Sequence, residues 1–397
     1  MEKQDRYKQR YGIDADKAMV RKIFKGHVDN DFPRAFVNIV RDPEFKDLIF
    51  TFHLDGDGSK FVQRVLHFLV TGDAGILQGA FDDGLSMNTG DIAAAGFVYG
   101  KLVLGDVINI GLEEDLKNTI MQQLAYRVTA LMGLYRKYGF DLTYFLGGET
   151  ADLPDQVQSV TFDVGIYSRT REENVIAGNV EDGDIIYGFA SNGCAMWEEV
   201  DNSGIMANGL TMGRNDLMHE SYNQEFPFLA RVGGAYCGRF RVDDQPKELG
   251  GMSVSEAVLS PTRQWAIVIK MIIDKLKERN AFNLLHGISM NTGGGATKIN
   301  HVGEDILYVK TMPSPPPIFR LIQSETNEPW RNMFKSFNCG VGIDVVGKDC
   351  TDLHEVMREV CDEARINVFE LGKCKKQPGK GNNVILTTDF GTFDDYK

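Results

Sequence analysis

The sequence predicts a two-domain protein of mixed α/β (α+β) class. With 397 residues and 43% apolar side chains, the chain is long enough to bury two separate cores. Patterns typical of strands and helices alternate along the first half. A polar segment, Ser168–Gly183, then separates this half from a second one that begins again with a strand-like pattern. We therefore expect an N-terminal domain at residues 1–172 and a C-terminal domain at residues 173–397.

Hydrophobic periodicity predicts the individual elements. In the first half, Leu48–Leu54 and Val160–Ile166 are expected to be strands, and Glu113–Tyr138 is expected to be a long helix with one apolar stripe. In the second half, the predicted elements are a strand at Asp184–Ala190, helices at Thr262–Arg279 and Asp352–Arg365, and a strand at Asn383–Thr388. The tail GTFDDYK, residues 391–397, is expected to be disordered.

Composition and charge exclude several classes of protein. The net charge is −13 and no basic stripe interrupts it, which argues against a nucleic-acid partner. The charged N-terminus lacks the apolar core of a signal peptide, and the most apolar long stretch, Asp91–Leu112, contains Lys101 and Asp106. The six cysteines form no CxxC pair, which favours reduced thiols. These features predict a soluble, cytoplasmic protein with no membrane partner.

The stretch LTYFLGGETADLPD, residues 142–155, carries the first candidate site. A short apolar run that is typical of a buried strand ends in Gly147 and Gly148, and Glu149 and Thr150 follow directly. Two glycines let backbone amides approach a ligand closely, and a carboxylate beside them can hold a hard cation such as Mg²⁺. This pairing suits a metal–polyphosphate ligand.

The same chemistry recurs in DGDGSK, residues 55–60, again directly after a predicted strand. Its lysine is able to neutralise a phosphate oxygen, while its glycines expose backbone amides. The residues expected to contact the nucleotide here are Asp55, Gly56, Gly58, Ser59 and Lys60. A plain turn with Ser59 capping the next helix is the alternative interpretation.

Further segments add candidate residues, although the commonest nucleotide loops, GxxxxGK[ST] and GxGxxG, are absent. NTGD ends in Asp91, whose alternative role is a helix cap, and NTGGG (Asn291–Gly295) could equally form a flexible corner. SPTR (Ser260–Arg263) resembles a helix start with Pro261 in its first turn.

Three carboxylates in these segments are predicted to share one metal ion. Asp55, Asp91 and Glu149 each lie at the end of an element beside a glycine. Carboxylates that cluster without compensation repel one another, and Mg²⁺ with a triphosphate relieves that repulsion. The sequence therefore predicts a magnesium site formed by these three side chains.

Taken in order, the motifs resemble those of the phosphoribosylformylglycinamidine cyclo-ligase family, also called aminoimidazole ribonucleotide synthetase. The resemblance covers nearly the whole chain, from about residue 7 to residue 388. The matching segments are DGDGSK with the family's DGxGTK, GGETADLP at Gly147–Pro154, Ser191–Gly193 and Ala207–Gly209 with SSG…SNG, Leu259–Arg263 with L-x-PTR, Thr292–Gly295 with TGGG, and Phe337–Gly342 with FN-x-G-x-G.

The resemblance implies a fold, a reaction and a set of site residues. The N-terminal domain would pair across a homodimer through its β-strands, with ATP bound near that interface, and the C-terminal domain would complete the cleft. The reaction would be the ATP-dependent cyclisation of formylglycinamidine ribonucleotide to aminoimidazole ribonucleotide in purine biosynthesis, with ATP and Mg²⁺ as cofactors. By resemblance, Lys60, Asp91 and Asn208 would be catalytic, Ser59, Lys60 and Thr150 would contact phosphates, and Asn208, Gly209, Gly293, Gly294 and Gly295 would face the substrate.

Four departures from the family pattern leave alternatives open. Asp57 replaces a small apolar residue and adds a negative charge where phosphates are expected, Gly90 replaces an Asn or Asp, and Met290 replaces a histidine. The loop between Ser191 and Gly209 is expanded and lacks a histidine. Another ATP-dependent enzyme of the superfamily, such as a thiamine-phosphate kinase, and a non-catalytic paralogue that binds nucleotide therefore remain as alternative functions.

Overall fold

The computed structural model describes residues 10–11, 18–24, 26–144, 148–230, 235–394 and 396. The strands are β1 Val40–Arg41, β2 Leu48–Gly56, β3 Lys101–Ile110, β4 Asp141–Tyr144, β5 Glu149–Asp152, β6 Val160–Arg171, β7 Ile185–Ala190, β8 Asn192–Gly193, β9 Asn202–Ser203, β10 Leu285–Met290, β11 Ile306–Thr311, β12 Val341–Gly347, β13 Val368–Lys376, β14 Asn383–Thr388 and β15 Gly391–Phe393. The α-helices are α1 Ala18–Phe24, α2 Lys60–Thr71, α3 Gly79–Ala93, α4 Glu114–Lys137, α5 Leu210–Leu217, α6 Tyr222–Glu225, α7 Val254–Leu259, α8 Trp265–Glu278, α9 Pro317–Thr326, α10 Trp330–Ser336 and α11 Thr351–Ala364. Short 3₁₀ helices connect several of them, and Gly295–His301 is the longest of those described.

The first sheet belongs to the N-terminal half and has the strand order β1-β2-β6-β3-β4, with β5 also pairing with β3. Its pairs are antiparallel except for β3 with β4 and β3 with β5. In β6, side chains alternate between buried and accessible along Val160–Arg171. This alternation is typical of a sheet with one face packed on helices and the other face uncovered.

The second sheet belongs to the C-terminal half and has the order β10-β12-β7-β13-β11-β14-β15. Every residue of β7, with the sequence IIYGFA, is buried, and so is every residue of β12. The apolar run of β7 predicts a strand that is covered on both faces, and it has that environment. Strand β12 has the same environment, and its one charged residue, Asp344, pairs with the buried Lys310.

Helix α3 lies between the two sheets. It packs against β2 and β6 of the first sheet and against α8 and β10 of the second half. Residues 80–93 of this helix are all buried, although Asp82, Asp83, Asn88 and Asp91 are polar or charged. Burying such groups is costly unless each has a partner or a ligand, so the polar side chains of this helix indicate a candidate functional site.

The structure confirms the predicted fold class and most of the predicted elements. The strand predicted at Leu48–Leu54 is β2, the long helix is α4, and the strand predicted at Asn383–Thr388 has those same bounds. The predicted tail was wrong in part, because Gly391–Phe393 forms β15 and the Tyr396 hydroxyl donates to the Arg331 carbonyl oxygen at 2.9 Å.

Two further observations concern the expected boundary and the membrane. The boundary between residues 172 and 173 falls within a 3₁₀ turn, Glu172–Asn174, while the polar segment before it begins inside β6. In the part of the chain that the structure describes, no helix combines the length and the apolar character that crossing a bilayer requires.

Candidate functional site

Two of the predicted metal ligands, Asp55 and Asp91, lie together between the sheets. Asp55 is near the end of β2, and Asp91 is in the last turn of α3. The side-chain amide of Asn88 donates to the Asp55 backbone oxygen at 2.9 Å and to the Gly84 oxygen at 2.8 Å, so it fastens the helix to the strand. Burial and then the negative charge of Asp91 raise the pKa of Asp55. The charge of Asp91 is therefore close enough to Asp55 to disfavour ionisation of its carboxyl group.

Two cationic groups contact Asp91. The Nε2 atom of His53 lies 3.4 Å from Asp91 Oδ2, and the Nζ atom of Lys298 lies 3.3 Å from the same oxygen. Burial opposes ionisation of Asp91, but the charge of Lys298 and the contact with His53 outweigh it and lower the pKa of Asp91. Likewise, burial disfavours the imidazolium form, but the hydrogen bond to Asp91 raises the pKa of His53. The site thus holds Asp91 in its charged form.

The second oxygen of Asp91, Oδ1, is buried and has no hydrogen-bond partner among the described residues. A buried carboxylate oxygen without a partner is costly, and it is the kind of ligand that a hard cation takes. Asp91 Oδ1 and the carboxylate of Asp55, which feels its charge, are oxygen donors of the kind that magnesium takes.

The glycine loop Asn291–Gly295 closes the site from the second half of the chain. A Cβ on Gly293 would meet no atom within 4 Å, so its backbone is open to a ligand. Gly295 has φ +56°, and a Cβ there would clash with the backbone oxygens of Phe334 and Phe337, so glycine is required at this point. The glycines therefore serve two purposes, since one leaves room for a ligand and the other allows close packing.

The DGDGSK segment and the Ala207–Gly209 segment lie against each other, although the chain separates them by about 150 residues. The Ser59 and Thr211 hydroxyls are hydrogen-bonded at 3.0 Å. Ser59 is the N-cap residue of α2, as the alternative interpretation expected, but its side chain makes no capping hydrogen bond. Asn208 donates to the Ser336 oxygen at 2.6 Å, while its own side-chain oxygen is buried and has no partner among the described residues. The segments predicted to bind nucleotide and substrate are thus neighbours.

Gly56, Gly58 and Gly209 each have a structural reason to be glycine. A Cβ on Gly56 would clash with the Phe162 oxygen of the neighbouring strand, and Gly58 has φ +58°. Gly209 has φ +75° directly before α5, and a Cβ there would overlap the ring of Phe337. These glycines fix the shape of the two loops, and their amides remain candidates for ligand contact.

Lys60 does not face this site. Its side chain is 0% exposed, and its Nζ atom donates to Asp83 Oδ1 at 3.0 Å and to the Ser260 oxygen at 2.5 Å. Burial lowers the pKa of Lys60 to about 8. The predicted contact between Lys60 and a phosphate is therefore corrected, because its ammonium group is used inside the core.

Asp57 is also removed from the site. It is 0% exposed and lies beside Arg64, with 3.7 Å between Asp57 Oδ2 and Arg64 Nε. Burial raises the pKa of Asp57 well above its usual value. The predicted extra negative charge among the phosphates is thus absent, since this side chain points into the core.

Glu149 is not brought to Asp55 and Asp91 within one chain. Its strand β5 pairs with β3, and two strands, β6 and β3, separate it from β2, a distance of about 14 Å at the usual strand spacing. It pairs with Val107 on the exposed face of the sheet, whereas Asp55 lies on the helix face. Glu149 and Thr150 are exposed, and Gly147 lies outside the described residues. The predicted group of three ligands is therefore a pair within one chain.

Arg263 of the SPTR segment anchors the expanded loop. Its guanidinium group makes two hydrogen bonds of 2.9 and 2.8 Å to the Glu198 carboxylate. It also donates to the Ala190 and Gly193 oxygens at 2.7 and 2.8 Å. With these hydrogen bonds, Arg263 holds the loop in place. Glu198 belongs to the expanded part of the loop, so the extra residues supply the carboxylate that pairs with Arg263.

Two residues that contact Asp91, His53 and Lys298, were missed by sequence reasoning. Lys298 lies in the 3₁₀ helix Gly295–His301, where it contacts Asp91 and also donates to Thr292 Oγ1 at 2.5 Å. Its nitrogen lies 4.9 Å from the ring centroid of Phe36. The signal that could have found it is its position three residues after a run of glycines.

Comparisons with known proteins agree with this architecture. No family model matches the chain. The phosphoribosylformylglycinamidine cyclo-ligase of Methanococcus vannielii is 26% identical over 352 residues, which cover 87% of this chain and 82% of that protein. The enzyme of the same name from Methanocaldococcus jannaschii is 26% identical over 354 residues, covering 89% of this chain and 85% of that protein.

Among solved structures, the crystal structure of a HypE–HypF complex matches with a TM-score of 0.50 and 14% sequence identity. The match covers 96% of this chain and 99% of that chain, and at this identity it shows the fold alone. The motifs and the likeness over most of the chain lead to one conclusion: this chain is similar in sequence to the phosphoribosylformylglycinamidine cyclo-ligases, and it has the aminoimidazole ribonucleotide synthetase-like fold.

Proposed function

We propose that this protein is an ATP-dependent cyclo-ligase that converts formylglycinamidine ribonucleotide into aminoimidazole ribonucleotide. The observation that carries the proposal is the pair of Asp55 and Asp91 between the two halves, with one buried Asp91 oxygen that lacks a partner among the described residues. The curated relatives have this activity in their names, which supports the choice of reaction.

The proposed reaction first converts the amide oxygen of the substrate into a good leaving group. An amide oxygen leaves poorly, but transfer of the terminal phosphoryl group of ATP to that oxygen creates a phosphate leaving group. The amidine nitrogen then attacks the same carbon, phosphate departs, and the imidazole ring closes. Magnesium bound to the nucleotide would neutralise charge on the phosphates.

The residues of this chain would bind and orient the two substrates. Asp55 and Asp91 would hold the metal, and the open backbone at Gly293 would receive a phosphate group, as successive amides in such turns do. Asn208 would accept a hydrogen bond from the substrate with its side-chain oxygen, which has no partner in the part of the chain that the structure describes. The two halves of the chain would hold both reactants side by side, and this positioning would be the main source of catalysis.

The proposal includes a homodimer formed through the first sheet. On the face that helices leave uncovered, Phe52 and Leu54 of β2 are 66% and 59% exposed, and Tyr167 of β6 is 39% exposed. Phe52 and Tyr167 are direct cross-strand partners, so these side chains form one apolar patch. A second copy of the chain would cover it, and Glu149 lies on the same face.

A non-catalytic paralogue that binds nucleotide is the second candidate. Gly90 and Met290 favour it, because both replace polar residues of the family motif and both are buried beside Asp91. Another ATP-using enzyme of the superfamily, such as a thiamine-phosphate kinase, is a third, and it predicts phosphoryl transfer to a different acceptor.

Incubation of the purified protein with formylglycinamidine ribonucleotide, ATP and Mg²⁺ tests the proposal. We expect aminoimidazole ribonucleotide and inorganic phosphate in equal amounts, and neither product from the Asp91→Asn variant. Binding of magnesium and an ATP analogue without product would favour the paralogue. Phosphoryl transfer to thiamine monophosphate instead would favour the kinase.

A further inference from the structure

We infer that Lys298, from the second half of the chain, contacts the terminal phosphoryl group of the nucleotide. This inference rests on the proposed function and adds to it the cation that the sequence had assigned to Lys60. It identifies a further catalytic residue for the proposed reaction.

The position of Lys298 is the first argument. Its ammonium group lies 3.3 Å from Asp91 Oδ2 and 2.5 Å from Thr292 Oγ1, so it bridges a metal-ligand candidate and the glycine loop. A lysine ammonium has three donors, and these contacts use two of them. The side chain is 16% exposed, so it is not sealed in the core as Lys60 is.

The other buried cations near the cleft have different partners. Lys60 is bonded to Asp83 and Ser260, and Arg64 pairs with Asp83 and donates to the Ile76 and Leu259 oxygens. Arg263 is fully used by Glu198 and by backbone oxygens. Among the described residues, Lys298 is thus the lysine or arginine that contacts Asp91.

The chemistry requires a cation at this point. The terminal phosphoryl group carries negative charge on three oxygens, and positive side chains beside the metal stabilise it during transfer. A metal ion on Asp91 and the Lys298 ammonium would both touch the same carboxylate, so a phosphate oxygen on that metal lies within reach of Lys298. The Phe36 ring shields one side of the ammonium group from water.

The test measures, by titration calorimetry, the binding of three ligands in separate experiments: adenylyl-imidodiphosphate with Mg²⁺, ADP with Mg²⁺, and ribose 5-phosphate. We expect Lys298→Met to weaken binding of the triphosphate analogue by about 10-fold or more, because a charged hydrogen bond is lost. Binding of ADP should change by less than about twofold, since ADP lacks the terminal group. Lys298→Arg should recover part of the loss, and Lys348→Met, at an exposed lysine, is the matched control.

Three results would overturn the inference. Equal weakening of the triphosphate analogue and ADP would mean that Lys298 supports the loop without contacting the terminal group. Weaker binding of ribose 5-phosphate with unchanged triphosphate binding would assign Lys298 to the phosphate of the second substrate. No effect of Lys298→Met on any ligand would remove it from the site.

The experiment also separates this inference from the proposed function. If the wild type binds the triphosphate analogue but makes no aminoimidazole ribonucleotide, the proposed function fails and the comparison of Lys298 variants still decides the inference. If the wild type binds neither nucleotide, both fail. Melting temperatures of the variants show whether each is folded.

Discussion

Met290 fills the space that a side chain at position 90 would need. A Cβ built on Gly90 would overlap the Met290 sulfur atom and come within 3.2 Å of its terminal methyl group, and Met290 is 0% exposed. Both residues depart from the family pattern, and each lies one residue from a candidate site residue. Because they contact each other, the two departures are one structural change, in which a glycine in α3 makes room for a methionine at the end of β10.

This contact predicts that the effect of a substitution at Gly90 depends on residue 290. Gly90→Ala should destabilise the wild type by about 1–3 kcal/mol, because it overpacks a filled core. In a Met290→Ala background the same change should stabilise the protein by about 0.5–1 kcal/mol, because the space is then open and alanine favours a helix. Urea denaturation of the four proteins measures both values. The same effect of Gly90→Ala in both backgrounds would contradict the coupling.

Asp91 is expected to be essential for binding magnesium and nucleotide. Asp91→Asn keeps the shape but removes the charge that faces Asp55, Lys298 and His53. We expect a loss of about 2–3 kcal/mol in binding of Mg²⁺ with an ATP analogue, or a factor of roughly 30–150. Titration calorimetry measures the affinity, and Asp115→Asn, at an exposed position in the first turn of α4, is the control. Unchanged affinity in Asp91→Asn would place the metal elsewhere.

The sequence predicted the pair of Asp55 and Asp91 but not the place of Glu149. The strand that contains Asp55 and the helix that contains Asp91 both have clear local patterns. A hydrogen bond from Asn88 to the Asp55 backbone oxygen holds the two together. Glu149 belongs to β5, whose neighbours depend on the order of strands in the sheet. Long-range pairing sets that order, and local periodicity carries no information about it.

The sequence predicted Lys60, and not Lys298, as the phosphate-binding lysine for a similar physical reason. In DGDGSK, the glycines and the lysine have the same spacing whether the lysine points outward or inward. Its direction depends on Asp83, which lies 23 residues away and offers a buried carboxylate. Lys298 follows the glycine run by three residues, but local periodicity does not show which way its side chain points, and its contact with Asp91 identifies its role.

The buried charges around Arg64 predict that substitutions of Asp57 and Asp83 have opposite effects on stability. Burial raises the pKa of Asp57, so the folded protein binds this proton more readily than the unfolded chain does. Stability contributed by this group is therefore lost as the pH rises from about 4 through the raised pKa. For Asp83, burial opposes ionisation, but Lys60 and Arg64 outweigh it and lower its pKa, so its contribution is present above about pH 4 and is lost at lower pH.

At pH 8, we expect Asp57→Asn to be more stable than the wild type, since a buried carboxylate without a hydrogen-bond partner among the described residues is neutralised. Asp83→Asn should lose about 3–5 kcal/mol, because Lys60 and Arg64 are left buried and without their shared counter-charge. Guanidinium denaturation at pH 5 and at pH 8 measures both variants. A loss of stability in Asp57→Asn at pH 8 would show that its charge is needed by Arg64.

The exposed apolar face of the first sheet predicts a homodimer, which a single charged substitution in that face should dissociate. Leu54 lies at the centre of the apolar patch, beside Phe52 on the same strand and opposite Gly165 on β6. Leu54→Glu would place a charge in the proposed interface, where burial without a partner costs several kcal/mol. We expect the wild type to sediment as a dimer and this variant as a monomer with an unchanged circular dichroism spectrum. Val200→Glu is the matched control, because Val200 is 73% exposed on the expanded loop, away from this sheet. A monomeric wild type, or a variant that remains dimeric, would show that this face does not form the interface.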